Sequence, residues 1–403
     1  MTKSIEYESR AAVLESARTR KMARSSHRYV RGSTEQFYAW LGSPGAVGIP
    51  EGPPVWICGD CHVGNLGPIA DAAGRIHIHI RDLDQTVIGN PAHDLLRLAL
   101  SLASAARGSD LPGVTTARML EAIMDGYEAA FAHDFDEAED NPEPPEAVHL
   151  ALKEASARTW KHLAKERLDN TRPDIPLGKR FWPIIDEERA ALEAVFADPA
   201  VASLATMAKA RDDEAKVTVV DSAYWMKGCS SLGLLRYAVL LEVSDRDAKS
   251  PNLCLMDIKE AVTSAAPASS DADMPSDPAQ RVVDGALHIS PLLGERMRAT
   301  TLLDRPVFIR ELLPQDLKLE LDQLTTDEGL KAAEYLATVV GYAHARQMDS
   351  STRTSWQNEL ALQRTKDLDA PFWLWRNVVG LLVDHEATYL EHCRRYALAD
   401  SPA

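Results

Sequence analysis

Five cysteines in 403 residues (Cys58, Cys61, Cys229, Cys254 and Cys393) are too few and too irregularly spaced to staple the chain, so no disulfide framework carries the fold. Basic residues are also in deficit: 44 Lys and Arg face 60 Asp and Glu, a formal charge of −16 at pH 7. A surface of that sign repels phosphate backbones and anionic bilayers, which argues against nucleic acid or membrane as general partners. No apolar run approaches the roughly 20 residues that a bilayer demands. The most apolar helical stretch, Leu95 to Ala106, is short and is interrupted by Arg97. Met1 to Glu8 carries acids where an export signal needs a basic stretch and then an apolar run, so the expectation is a cytoplasmic chain with reduced thiols. Internal repeats are missing too. What is present is an ordinary globular composition, 45 % hydrophobic and 26 % charged, in a length that suits two or three domains or one two-lobed enzyme.

Hydropathy periods divide the chain. Ser9 to Leu41 reads as helical and stops at Gly42, and a Pro- and Gly-rich loop leads to a short buried strand, Val55 to Cys58. Leu66 to Ala70 and Arg75 to Ile80 read as a hairpin. Helical periodicity follows from Asn90 to Ala106, Thr116 to His133 and, past an acidic loop, Ala147 to Arg167. After Lys216 the period becomes that of strands: Val217 to Val220, Leu234 to Val243, Leu253 to Ile258, Met297 to Leu303 and Val307 to Leu312. Thr263 to Pro278 reads as a mobile loop before a short helix, and helix returns over Thr326 to Arg346 and Phe372 to Tyr396. The expected organisation is a helical unit over 1–215, a β-rich unit over 216–315, and C-terminal helices over 316–403 that complete the first.

The run Gly59-Asp60-Cys61-His62-Val63-Gly64-Asn65 places an acid and an amide five positions apart on a loop leaving a strand, and a hairpin brings in Asp82-Leu83-Asp84. Phosphoryl transfer uses such a set. One carboxylate orients or deprotonates the acceptor hydroxyl, while an amide oxygen and another carboxylate hold Mg²⁺ on the nucleotide phosphates. Asp60, His62 and Asn65 are thus the catalytic candidates, and Asn65, Asp82 and Asp84 the metal candidates. The bland alternative is a turn in which Gly, Asp and Asn serve only backbone geometry. Cys58-x-x-Cys61-His62 also has the spacing of covalent haem attachment, but that would leave the acid–amide–acid set unexplained, and a zinc site lacks a second Cys pair. His77 and His79 alternate along a strand and read as packing.

In the second half, Lys227-Gly228-Cys229-Ser230-Ser231-Leu232-Gly233 lies between strand-like runs, and Lys259 ends the next strand. Gly228, Ser230, Ser231 and Gly233 can bring backbone N–H groups to phosphates, and a strand lysine can pair with them. A turn and a solvent-facing lysine are the alternative. Asp284, on the following helix, is a candidate partner for Lys259.

Several of these pieces, with Lys21 to Ser25, Arg31-Gly32, Lys259-Glu260-Ala261, Gln280 to Val283, Ile309 to Leu312 and Ala343-His344-Ala345-Arg346, resemble the bacterial Domain of Unknown Function 2252 family over nearly the whole length. The loop Asp60-x-His62-x-x-Asn65 resembles that of aminoglycoside and choline kinases. The family resemblance implies an α+β, two-lobed, kinase-like fold, circularly permuted, with a mostly helical lobe and a smaller antiparallel nucleotide lobe over Val217 to Leu313. Glu311 to Leu313 would be the hinge, with Glu311 and Leu313 beside the nucleotide, and Asp94 a structural acid. Implied cofactors are ATP and Mg²⁺, and the implied partner is a small polar acceptor. The same ligands would serve nucleotidyl transfer, or a pseudokinase that only binds. The chain departs from the family pattern at Arg81, usually Asn, where a cation could weaken a neighbouring metal.

Overall fold

The computed structural model describes residues 9–71, 74–109, 111–132, 143–158, 162–163, 174–207, 215–228, 232–244, 252–317, 319, 325–362 and 370–396. It is an α+β protein. The first segment is three helices rather than one, α1 (Arg10–Met22), α2 (Ser26–Val30) and α3 (Thr34–Leu41), because turns at Ala23–Arg24 and Arg31–Gly32 break the ladder. Strand β1 (Val55–Ile57) pairs antiparallel with β4 (Val87–Gly89), a strand of three residues too short to show a period. Between them β2 (Leu66–Ala70) and β3 (Ile76–Ile80) form the expected hairpin, with Leu66 opposite Ile80. Helices α4 (Ala92–Gly108), α5 (Gly113–Ala129) and α6 (Glu146–Ala157) follow.

The large sheet runs β5-β6-β7-β8-β10-β9 and is antiparallel throughout. Its strands are β5 (Phe181–Trp182), β6 (Lys216–Trp225), β7 (Arg236–Ser244), β8 (Asn252–Glu260), β9 (Met297–Leu302) and β10 (Arg305–Glu311). Helices α7 (Asp186–Ala197) and α8 (Pro199–Ala202) precede β6, and α9 (Pro278–Ile289) and α10 (Pro291–Gly294) connect β8 to β9. Asp277 caps α9 by accepting from the Gln280 amide at 2.8 Å. Among the described residues, three helices follow β10: α11 (Thr326–Ala345), opened by a Thr325/Glu328 capping box, α12 (Ser350–Leu362) and α13 (Phe372–Tyr396).

Both faces of the sheet are covered, which explains the continuous apolar run of β7. Tyr237, Val239 and Leu241 point toward Leu14 of α1 and Leu192 and Phe196 of α7. Ala238 and Leu240 point the other way, with Leu255 and Trp225, against Leu163, Ile175 and Phe181. A separate core joins α4, α5 and α11. There α5 and α11 approach so closely that a Cβ on Gly126 would lie 2.1 Å from the Glu334 carbonyl oxygen. Residues 263–277 form a loop, as expected, but a pinned one: Ser264 Oγ donates to the Gln85 carbonyl at 2.7 Å and the Ser269 amide to that of Ile88 at 2.9 Å. Among the described residues no helix is long and apolar enough to cross a membrane.

Candidate functional site

The turn after β1 tolerates only glycine at its start. Gly59 has φ +74°, and a Cβ there would lie 2.0 Å from the Gln85 carbonyl oxygen. Asp94, in the first turn of α4, fixes this turn from below: its carboxylate accepts from the Cys58 amide at 2.7 Å and the Gly59 amide at 3.0 Å. Asp60 follows. Arg97, three residues after Asp94 on α4 and fully buried, donates from Nε to Asp60 Oδ1 at 2.8 Å and from Nη2 to the Val30 carbonyl at 2.6 Å. Burial raises the Asp60 carboxyl above the ordinary range, Arg97 opposes the rise, and the charge of Asp82 adds to it. Asn65 donates to the Asp60 carbonyl at 3.0 Å, and His62 Nε2 lies 3.8 Å from Asp60 Oδ2.

The Arg81 amide bonds the Asn65 carbonyl at 2.7 Å and so sets the second motif beside the first. Lys259, 5 % exposed at the end of β8, reaches across 177 residues of sequence to Asp82 Oδ1 at 3.2 Å and also bonds Asp84 Oδ2. Asp82 stands at the mouth with 46 % of its side chain exposed, whereas Asp84 is deeper, at 22 %. Burial opposes ionisation of Asp82, yet Lys259 and Arg310 together hold its carboxyl well below the carboxylate range. Asp84 goes the other way. Burial first and Asp82 second push it up to about 6, against Lys259.

That value exceeds the unfolded carboxyl at about 3.9, so Asp84 contributes stability that is complete below about pH 4 and lost as pH rises through about 6. Relative to the Asp84→Asn protein, the metal-free wild type should therefore lose stability between about pH 4 and pH 6.5. Urea midpoints of both proteins across that range test this, and parallel pH profiles would refute it.

A buried frame of cations surrounds the carboxylates. Arg236 on β7 forms a two-pronged pair with Asp257 on β8, at 2.9 and 2.6 Å, and Arg310 Nη2 lies 3.7 Å from the same carboxylate. Despite burial, Arg236 holds Asp257 well below the usual range. Arg310 also donates to the Arg81 carbonyl at 2.9 Å. From α9, Arg281 binds the backbone carbonyls of Asp84 and Val262 at 2.9 Å each, and that of Thr86. A cavity of about 480 Å³ opens beside Asp84, lined by Thr34, Gln85, Gly233, Glu260 and Ser264 among others.

Residues 10–395 match the bacterial family described as "uncharacterized protein conserved in bacteria (DUF2252)". The chain belongs to that family. No curated protein and no solved structure matches it.

In this Domain of Unknown Function 2252 protein, Asp60, His62 and Asn65 gather on the turn after β1, Asp82 and Asp84 gather on Lys259 from a distant stretch of sequence, and the charge of Asp82 acts on Asp60. Asp284 does not join them. Its carboxylate pairs with Gln280 at 2.6 Å on its own helix, one turn away, and the carboxylates on Lys259 are Asp82 and Asp84. The residue of α9 that reaches the cleft is Arg281. Gly228 and Gly233 have φ +108° and +111°, backbone that glycine favours, and Lys21 of α1 donates to the Gly228 carbonyl. Ser230 and Ser231 lie outside the described residues. Glu311 is buried at the end of β10, and the Leu313 amide bonds Asp316 at 3.3 Å. Cys58 and Cys61 are buried and form no disulfide, and burial raises the Cys58 thiol.

No group of three His, Cys, Asp or Glu side chains among the described residues is arranged to hold a metal. The oxygens brought together here are the carboxylates of Asp82 and Asp84. Asp84 Oδ1 is buried without a hydrogen-bond partner, an anionic oxygen with its acceptor positions open. That chemistry fits a hard divalent cation held partly by oxygen ligands from substrate phosphates and water. Arg81, despite its position, turns its guanidinium to the Asp316 carbonyl at 3.2 Å, and burial lowers its pKa to about 10.

Proposed function

We propose that this protein is an ATP- and Mg²⁺-dependent phosphotransferase with a permuted kinase-like, two-lobed fold, acting on a small polar acceptor in a cytoplasmic setting. The observation that carries the reading is Lys259: a strand lysine from the sheet lands on the two carboxylates of the Asp82-Leu83-Asp84 segment, beside the buried Asp60. Chain order within the sheet supports it as well. Gly228 and Gly233 lie between β6 and β7, Lys259 is the next-to-last residue of β8, α9 follows, and β9 and β10 lead to Glu311 to Leu313.

In this reading Asp60 orients the acceptor hydroxyl and takes its proton, a role for which a carboxyl raised by burial is suited. Asn65, Asp82 and Asp84 would hold Mg²⁺, which supplies neutralisation of phosphate charge when bound. Lys259 would bind phosphate oxygens, and the segment carrying Gly228 and Gly233 would cover them. A chamber of about 480 Å³ leaves room for a small acceptor rather than a folded partner.

Calorimetry with Mg-ATP is the direct test. Wild type should bind, and Asp82→Asn should weaken binding at least about tenfold with Mg²⁺ present, as expected for loss of one charge-bearing metal ligand. Product analysis then separates transfer of phosphate from transfer of AMP. Failure of wild type to bind, or unchanged affinity in both Asp82→Asn and Lys259→Met, would remove the assignment.

A further inference from the structure

The segment Ala343-His344-Ala345-Arg346 has no part in the chemistry above, yet it ends in a fully buried side-chain chain that runs to the Asp60 turn. His344, at the end of α11, lies with Nε2 3.2 Å from Asp94 Oδ2 and Nδ1 3.0 Å from the Tyr127 hydroxyl, and the Trp356 indole N–H donates to that hydroxyl at 3.1 Å. Asp94, Tyr127 and His344 are wholly inaccessible, and Trp356 nearly so.

One assignment of protons satisfies every member. Trp356 has only a donor, so the Tyr127 oxygen accepts from it, and the Tyr127 O–H donates to His344 Nδ1. His344 then carries its proton on Nε2 and donates it to Asp94, which already accepts the Cys58 and Gly59 amides. The other tautomer would turn a lone pair toward a carboxylate and leave the tyrosine proton without an acceptor. Burial holds the Tyr127 hydroxyl protonated by raising its pKa well above the phenol range. The imidazole is therefore fixed in one tautomer, and among the described residues the Cys58 and Gly59 amides and His344 Nε2 are the groups bonded to the Asp94 carboxylate.

One turn further, Gln347 grips β1 directly. Its Oε1 accepts from the Trp56 amide at 2.8 Å and its Nε2 donates to the Trp56 carbonyl at 2.9 Å, so both backbone groups of a residue four positions before Asp60 are tied to it. These two contacts converge on one target from the same end of α11.

We propose that His344 and Gln347 are positioning residues for Asp60: His344 holds the turn through Asp94, Gln347 holds the strand through Trp56, and Tyr127 and Trp356 fix the His344 tautomer. The catalytic half of this proposal rests on the phosphotransferase reading; the holding half does not. The chemistry of transfer depends on where the Asp60 carboxylate points, and misplacement by an ångström costs on the order of 100-fold.

The test uses full-length protein with His344→Phe, His344→Gln and Gln347→Ala. Hydrogen exchange at residues 56–60 is read by mass spectrometry against that of the large sheet, with kcat and KM for Mg-ATP turnover alongside. His344→Phe removes the donor to Asp94 and should speed exchange at 58 and 59 by about tenfold or more while leaving β7 and β8 protected. It should lower kcat by about 100-fold with KM for ATP within about threefold, because the nucleotide contacts are untouched. His344→Gln, which keeps an N–H donor, should recover most of both losses. If His344→Phe does not fold, Gln347→Ala carries the same signature at 56 and 57. Unchanged exchange at 56–59, exchange that rises equally across the sheet, or a loss shared between kcat and KM would overturn the proposal. Should wild type show no Mg-ATP turnover, the phosphotransferase reading fails, and the exchange pattern alone decides the holding role.

Discussion

Asp60→Asn should slow Mg-ATP turnover at least about a thousandfold, a loss in the range of a general base removed from its substrate. Nucleotide affinity should stay within about threefold, because Lys259 contacts Asp82 and Asp84 rather than Asp60. The substitution is isosteric, and the Asn oxygen can still accept from Arg97 Nε at the position where Asp60 Oδ1 now lies 2.8 Å away. It does leave the Arg97 guanidinium buried without a counter-charge, so the thermal midpoint should fall, and turnover is compared at a temperature where both proteins are folded. Release of ADP, followed with and without candidate acceptors, checks this. Turnover above about a tenth of wild type would remove Asp60 from the base role.

Arg97→Leu should cost about 3–5 kcal/mol of folding stability, the penalty for leaving one member of a buried ion pair alone. Arg97 is wholly inaccessible, and its loss would strand the Asp60 carboxylate and the Val30 carbonyl together, beside the Phe37 ring that now lies 5.1 Å from the guanidinium. The double variant Asp60→Asn/Arg97→Leu separates charge from packing. It should recover part of the loss, since no ion is then left without a partner. Urea unfolding of the four proteins measures the coupling. A single Arg97→Leu penalty below about 1 kcal/mol would mean that solvent reaches the pair.

The strand, turn and hairpin around Asp60 and Asp82 were legible in the sequence because Gly59, Pro- and Gly-rich loops and alternating apolar residues mark them locally. Helix α11 was legible through its capping residues. Strands β4 and β5 were not, having three and two residues, fewer than any period needs. Helix α12 begins Ser350-Ser351-Thr352, a poor helix-forming start, and is kept by burial of Trp356 and Leu360. Helix α7, by contrast, carried a readable sign in its three leading acids, Asp186, Glu187 and Glu188. At the site, residue types pointed to the carboxylates and to Lys259, but only long-range folding brings them within bonding distance. The pairing of Lys259 with Asp284 followed helix adjacency, whereas α9 in fact turns Arg281 inward and leaves Asp284 to Gln280. Arg97 had one local signal, a cation inside the most apolar helix, because a charge is buried there only when something pairs with it.

Lys259 has a consequence for how the cleft responds to ions. Its ammonium is a resident counter-ion, tethered to β8 and lying between two carboxylates that would otherwise repel each other. A divalent cation that takes the Asp84 oxygen bonded to Lys259 would displace that ammonium, and the lysine so released would need an anion. Each guest alone therefore works against a satisfied pair, whereas a cation and an anion together leave every charge matched. By reciprocity, whatever factor the anion adds to cation affinity the cation adds to anion affinity. On the phosphotransferase reading, the cleft would favour a cation and an anion together over either alone.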